Sequence, residues 1–278
     1  MLLGSLLLAT AHAGTPDADD SLFNLDDKPV GVVLQAEVGF LATLDHTLQF
    51  GKDGTRVDVP DELGQSTLAP FLRFQADLDI GTRRRNTISL LYQPLDLTSQ
   101  VAPERDLVVG DVTFPAGRGL DFRYGFSFFR GTWLYDLLPA RDKEVALGLG
   151  LQIRNADIVY AARDGSAVVA SRDVGPVPLL AFRGRGTLTR RLWMAGEVQG
   201  FYAPIKYLNG TGADVEGAIA DASVKLGLAA PKGTDAFLAV RYVGGGASGT
   251  SSAPDPFTDG FVDNWVHFLS VSLGVLLH

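Results

Sequence analysis

The chain has 278 residues, a formal net charge of -8, a mean hydropathy of +0.14 and no cysteine. The acidic balance argues against nucleic acid as a partner. The missing cysteine excludes disulfides, thiol catalysis, thiolate metal sites and a lipoprotein anchor. Beyond the N-terminus no apolar run approaches the ~20 residues that a membrane-crossing helix needs, so any membrane residence must use strands.

In chain order, the first segment is MLLGSLLLATAHA, in which the apolar stretch Leu2–Leu8 leads to Ala11-His12-Ala13. An apolar core followed by an A-x-A site has the form of a secretory signal, so residues 1–13 are expected to be removed on export. Residues 14–30 carry the acids from Asp17 to Asp27 and read as a solvated tail. The remainder, 31–278, reads as one all-β unit.

From Gly31 onward the dominant period is two. Val38 and Phe40 alternate with Glu37 and Gly39, and Leu72–Ile80 sets Leu, Phe and Ala against Arg73, Gln75, Asp77 and Asp79. Ile88, Leu90 and Tyr92 oppose Ser89 and Gln93. Phe122, Tyr124, Phe126 and Phe128 alternate with Asp121 and Arg123, and Val145–Ile153 alternates with Gly148, Gly150, Gln152 and Arg154. Leu180 and Phe182 face away from Arg183 and Arg185; Met194 and Val198 from Glu197; Val224 and Leu226 from Asp221 and Lys225; Leu238 and Val240 from Arg241. The last run sets Leu269–Val275 against Ser270, Ser272 and Gly274. A strand places alternate residues on opposite faces, so each segment has one apolar and one polar or small face. About ten strands result.

Short polar connections (82–85, 139–142, 189–191 and 231–234) alternate with long ones (43–69, 97–119, 161–176, 204–215 and 244–264). This asymmetry predicts an antiparallel, up-and-down transmembrane β-barrel, with short turns on the periplasmic rim and long loops outside. Two long loops contain hairpin-like runs, Thr47–Phe50 with Arg56–Val59 and Leu107–Val109 with Val112–Phe114. Trp133, Trp193 and Trp265 fall near strand ends with Tyr92, Tyr135, Tyr202 and Tyr242, as interfacial girdles require. A soluble β-barrel or sandwich is the rival reading, and it would turn the apolar face inward.

The C-terminal run Ser272, Gly274 and Leu277 resembles the assembly signal of small Gram-negative outer-membrane barrels, although His278 stands where a terminal aromatic is usual. The likeness is architectural and spans Gly31 to the C-terminus. It implies outer-membrane location, lipid, lipopolysaccharide and the barrel-assembly machinery as partners, and a monomer.

In such a barrel the polar face is the lumen. It is expected to hold Glu37, Arg73, Asp77, Asp79, Asp121, Arg123, Arg154, Arg183, Arg185, Glu197, Asp221, Lys225 and Arg241. Buried charges of both signs suit a salt-bridged plug; the other possibility is a selectivity lining for a narrow, porin-like pore. No catalytic function, metal site or cofactor is expected. Asp45-His46 and His267 with Ser270 are the nearest approaches to a dyad, but both spacings send the two side chains to opposite faces. The expected role is structural or limited passage of small solutes. Surface recognition through the acidic loops is the alternative, and an outer-membrane enzyme the third.

Overall fold

A computed structural model describes residues 29–81, 85–138, 140, 142–204, 214–230, 233–250 and 259–278. The signal segment, nearly all of the acidic tail and parts of several connections lie outside the described residues. Among the described residues the protein is all-β apart from one five-residue helix, α1 (Val59–Leu63).

Ten antiparallel wall strands close on themselves. They are β1 (Val30–Phe50), β3 (Leu68–Ile80), β4 (Asn86–Gln93) continued by β5 (Asp96–Val101), β8 (Leu120–Asp136), β9 (Lys143–Ala162), β10 (Val168–Thr187), β11 (Leu192–Pro204), β12 (Asp214–Ala230), β13 (Thr234–Thr250) and β14 (Phe261–Leu277). Neighbours in sequence are neighbours in the wall, and the β1–β14 ladder from Leu34↔Leu277 to Phe50↔Val262 completes the circle. Closure pairs the wall strands all round in the lower barrel; above the level of Phe74 and Tyr92 β5 pairs with β8, and upper β3 with β1, but not with each other. The short strand β2 (Val57–Asp58) pairs with the top of β1, and β6 (Leu107–Val109) with β7 (Val112–Phe114) makes the separate hairpin.

The strands run well past the expected boundaries. The connection expected at 161–176 shrinks to five residues because β9 and β10 have 20 residues each. A strand of that length measures about 65 Å, and about 50 Å in height at a tilt near 40°, against a ~25 Å apolar band. The wall therefore stands well above the height of such a band. Its hairpin tip is a tight turn: Gly165 at φ 76 donates its N–H to the Ala162 carbonyl at 2.9 Å. β13 and β14 shorten the 244–264 connection in the same way.

Outward-facing Leu147, Leu149, Leu151 and Ile153 on β9 are about half exposed, as are Leu269–Leu277 on β14 and Val30–Phe40 on β1. This continuous apolar belt is unsuited to water and suited to acyl chains. Above it the outer wall turns polar: Asp157, Arg123, Asp96 and Arg172 on β9, β8, β5 and β10 are linked by ion pairs of 2.7–3.1 Å. Inside, the same height is filled by Phe71, Phe122, Tyr124, Tyr160 and Phe268. The upper barrel is thus built like a soluble one, apolar within and charged without, while the belt region is inverted.

That switch corrects one strand. Phe122, Tyr124 and Phe128, expected to face lipid, are almost fully buried inside, and Asp121 and Arg123, expected in the lumen, lie on the outer face beside Arg163 and Asp96. On β8 the outward-facing set within the belt is Phe129, Gly131 and Trp133. Trp193 is the second correction: it points into the lumen at 2% exposure, not into a girdle. Trp133, whose indole donates to Asn86 Oδ1 at 3.1 Å, lies on the outer face, as does Tyr242 with its hydroxyl 2.6 Å from His267 Nδ1.

Candidate functional site

The barrel interior is stacked in three layers. Each is positioned by strand parity alone, because every second residue of every strand must enter a lumen that ten strands make little wider than its side chains.

The middle layer holds the charges. Asp221 on β12 receives Arg130 Nη1 and Arg241 Nη1 at 2.7 Å each, with Arg73 Nη1 at 3.4 Å from its other side of the lumen. Glu37 accepts from Gln35 at 2.7 Å and from Ser272 at 2.8 Å, and Arg241 and Arg73 stand at 3.5 and 3.9 Å. Arg130 also donates through Nε and Nη2 to Gln152 Oε1 at 2.9 and 2.6 Å. Lys225 donates to Gln35 at 3.0 Å and sits 3.7 Å from Glu197. Arg73, Asp221 and Arg241 are at most 2% exposed.

A second charged group lies nearer the end of the barrel that carries the chain's C-terminus. Arg183 donates to Glu144, Asp77 and Thr87 at 2.7, 2.8 and 2.9 Å, and Arg185 adds contacts to Asp77 and Glu144 at 3.1 and 3.3 Å. Asp79 is hydrogen-bonded by Thr87. Arg154 points inward higher up, in the electrostatic reach of Tyr124.

Two apolar layers close this stack. Above lies the aromatic core already described, capped by α1. Below, Val33, Trp193, Phe237 and Leu276 form an apolar plug at the end of the barrel that carries the chain's C-terminus. Trp193 covers Gly227 and Phe237 covers Gly274, each ring lying where a β-carbon on the neighbouring strand would stand. These glycines are therefore required by close approach. Between plug and charges remains a cavity with about 10 Å³ of water-accessible space, room for one water. Truncating Trp193→Ala should cost about 3–5 kcal/mol, as large aromatic truncations do, seen as a lower urea midpoint in micelles.

Eleven of the thirteen residues expected in the lumen project there; Asp121 and Arg123 do not. Arg130 and Glu144 were missed. Arg130 continues the Phe122–Phe128 face and became legible only once that face was known to point inward, and Glu144 lies one residue before the first alternating position of its run. The candidate dyads are parted. Asp45 is exposed on the outer face, and His46 is buried, its Nδ1 2.9 Å from Gln65 Oε1 and its ring edge-on to Tyr124 at 4.3 Å. His267 faces outward and Ser270 inward.

The chain matches no protein-family model and no curated protein. Among solved structures it is similar to the outer membrane protease OmpT from Escherichia coli, with a TM-score of 0.50 and 9% identity, over 91% of this chain and 98% of that one. The Pseudomonas putida toluene transporter TodX aligns with a TM-score of 0.37 and 9% identity, over 94% and 93%. The structural similarity is to outer-membrane β-barrels, and at these identities it concerns the fold.

Proposed function

We propose that the chain is a monomeric, structural outer-membrane barrel with a sealed lumen, admitting at most limited passage of small solutes. The observation that carries this reading is the buried charge layer. Its acids and bases are paired with one another, most closely Asp221 with Arg130 and Arg241 at 2.7 Å and Asp77 with Arg183 at 2.8 Å, and an apolar layer closes it at each end. A selectivity lining needs the opposite: groups left free to exchange partners with a passing ion. Lipid covers the apolar belt on this reading. Arg123, Arg163 and Arg172 project from the outer wall above the belt, where phosphates of lipopolysaccharide would meet them. Insertion would use the barrel-assembly machinery.

The second reading, surface recognition, is favoured by the folded cap of α1, β2 and the β6–β7 hairpin, a fixed extracellular surface with exposed acids such as Asp61. The protease activity in the name of OmpT is not carried to this chain, because at 9% identity the likeness concerns the fold alone. Proteoliposome swelling tests the main reading. Vesicles carrying the chain should swell in pentose solutions no faster than empty ones; swelling at porin-like rates would overturn it.

A further inference from the structure

The β10–β11 ladder runs from Thr187↔Trp193 to Leu180↔Gly200 and stops there, although β10 extends to Val168 and β11 to Pro204. The next pairs in that register would set Pro178 opposite Tyr202 and Pro176 opposite Pro204. Three of these four residues have no N–H, so the ladder cannot be continued. Above this level, among the described residues, β10 pairs with β9 alone, in one register from Gly186↔Lys143 to Val168↔Ala161.

The direction of the backbone groups follows from one bond. Ala162 donates its N–H to the Ala167 carbonyl at 2.9 Å, so the odd-numbered residues of β10 turn their N–H and C=O towards β9. The even-numbered Val168, Ala170 and Arg172 turn theirs the other way, where no described residue pairs with them. Pro176 and Pro178 share that parity and cost β10 no bond to β9. The edge is held in place from behind, because Val169 is 4% exposed and packs in the upper core. Native edges are usually blunted by proline, a bulge, lysine or shortness. The two prolines blunt the lower stretch, but residues 168–172 carry none of these devices. The gap between upper β3 and β5 is different, since its lips are already engaged: Ser99 Oγ donates to the Leu63 carbonyl and Ser66 Oγ to the Leu68 carbonyl, both at 2.6 Å.

The outward side chains of the open edge are Val168, 55% exposed, Ala170, and Arg172, 76% exposed. Arg172 meets Asp157 through Nε at 3.1 Å, which leaves its terminal amino groups for a second carboxylate. In a chain of net charge -8 this edge is apolar with one cation.

We propose that residues 168–172 form a strand-addition site for an extended segment of a partner protein, with an acidic side chain opposite Arg172. Main-chain bonds hold such a strand, and the side chains that meet Val168 and Arg172 select it: a β-branched residue at one and a carboxylate at the other. The edge is ordered beforehand, so pairing costs conformational freedom in the partner alone. The inference rests on the outer-membrane reading only for the side of the membrane on which the edge stands.

The test uses the full chain in zwitterionic phospholipid nanodiscs without lipopolysaccharide, whose phosphates would compete for Arg172. The probe is a short synthetic peptide of alternating valine and threonine with a central glutamate. Ser166→Cys, in a chain without other thiols, tethers it by a disulfide at the hairpin tip and raises its effective concentration. Amide hydrogen exchange read by NMR should find Val169 and Ser171 slow, and Ala170 and Arg172 fast, before tethering. The tethered peptide should slow Ala170 and Arg172 at least tenfold. The same peptide N-methylated at every second residue, on its pairing edge, should not. Ala170→Pro, which spares the β9 ladder as Pro178 does, should abolish the slowing at Arg172. Arg172→Glu should reverse the preference, so that a lysine-bearing peptide protects Ala170 better than the glutamate peptide.

Slow Ala170 and Arg172 amides before tethering would mean that the chain's own residues fill the edge, and would overturn the proposal. So would equal slowing by methylated and unmethylated peptides, or by glutamate and lysine peptides on unsubstituted Arg172. Insertion is scored separately by heat-modifiable mobility, so absent protection in an inserted barrel counts against strand addition alone.

Discussion

Asp221→Ala should destabilise the barrel by about 3–5 kcal/mol, the cost of leaving buried charges uncompensated. Asp221 meets Arg130 and Arg241 at 2.7 Å and Arg73 at 3.4 Å, and all four side chains are at most 2% exposed. Removing the carboxylate leaves three guanidinium groups facing one another, with Glu37 as the nearest remaining acid for two of them. Arg123→Ala is the matched control. Its side chain is 45% exposed and bridges Asp96 and Asp157 on the outer wall, so its loss should cost no more than about 1 kcal/mol. Reversible urea unfolding in micelles measures both. Equal effects would mean that the interior charges are solvated, and the sealed lumen would be lost.

Leu149→Arg should cost about 2–4 kcal/mol, the penalty for a cation near the bilayer midplane. Leu149 is 59% exposed on the outer face, paired with Trp133 on β8 and Leu180 on β10, so its environment is set by what surrounds the barrel. In lipid a guanidinium there is stranded. In water the same substitution on an exposed strand face would be within about 0.5 kcal/mol of neutral. Comparing refolding free energies in bilayers for Leu149→Arg and Leu149→Ala separates the cases, and a neutral arginine would place this face in water.

Most of the fold was legible because one physical rule, alternate faces of a strand, repeats in all ten wall segments. Residues such as Arg73 or Lys225, flanked on both sides by apolar neighbours within the belt, could be assigned to the lumen from that rule alone. It failed on β8, where the run from Phe122 to Phe128 lies above the belt. There the apolar face belongs inside, and period two reports that faces differ without saying which solvent each one meets. The bulge at Leu44 is similarly hidden: it shifts the β1–β14 register between Thr43 and Asp45, and so turns His46 inward. Trp193 looked interfacial because it stands near a strand end. Its partner across the strand, Gly227, is the signal that could have corrected this, since a glycine opposite an aromatic ring leaves room for the ring to lie against the wall. Strand length was underestimated because Gly244, Gly245 and Gly246 read as loop, yet they pair regularly with His267, Val266 and Trp265.

The sealed lumen is the centre of the account, and planar-bilayer recording of the purified wild-type chain tests it most directly. With the charged layer paired and an apolar plug at each end, the account predicts no steady ionic current, only rare brief openings far below the conductance of a wide porin. Widening the interior by Arg130→Ala with Trp193→Ala should raise the current. A large, steady wild-type current would contradict the account, because it would require the Asp221 and Asp77 networks to line an open, hydrated channel.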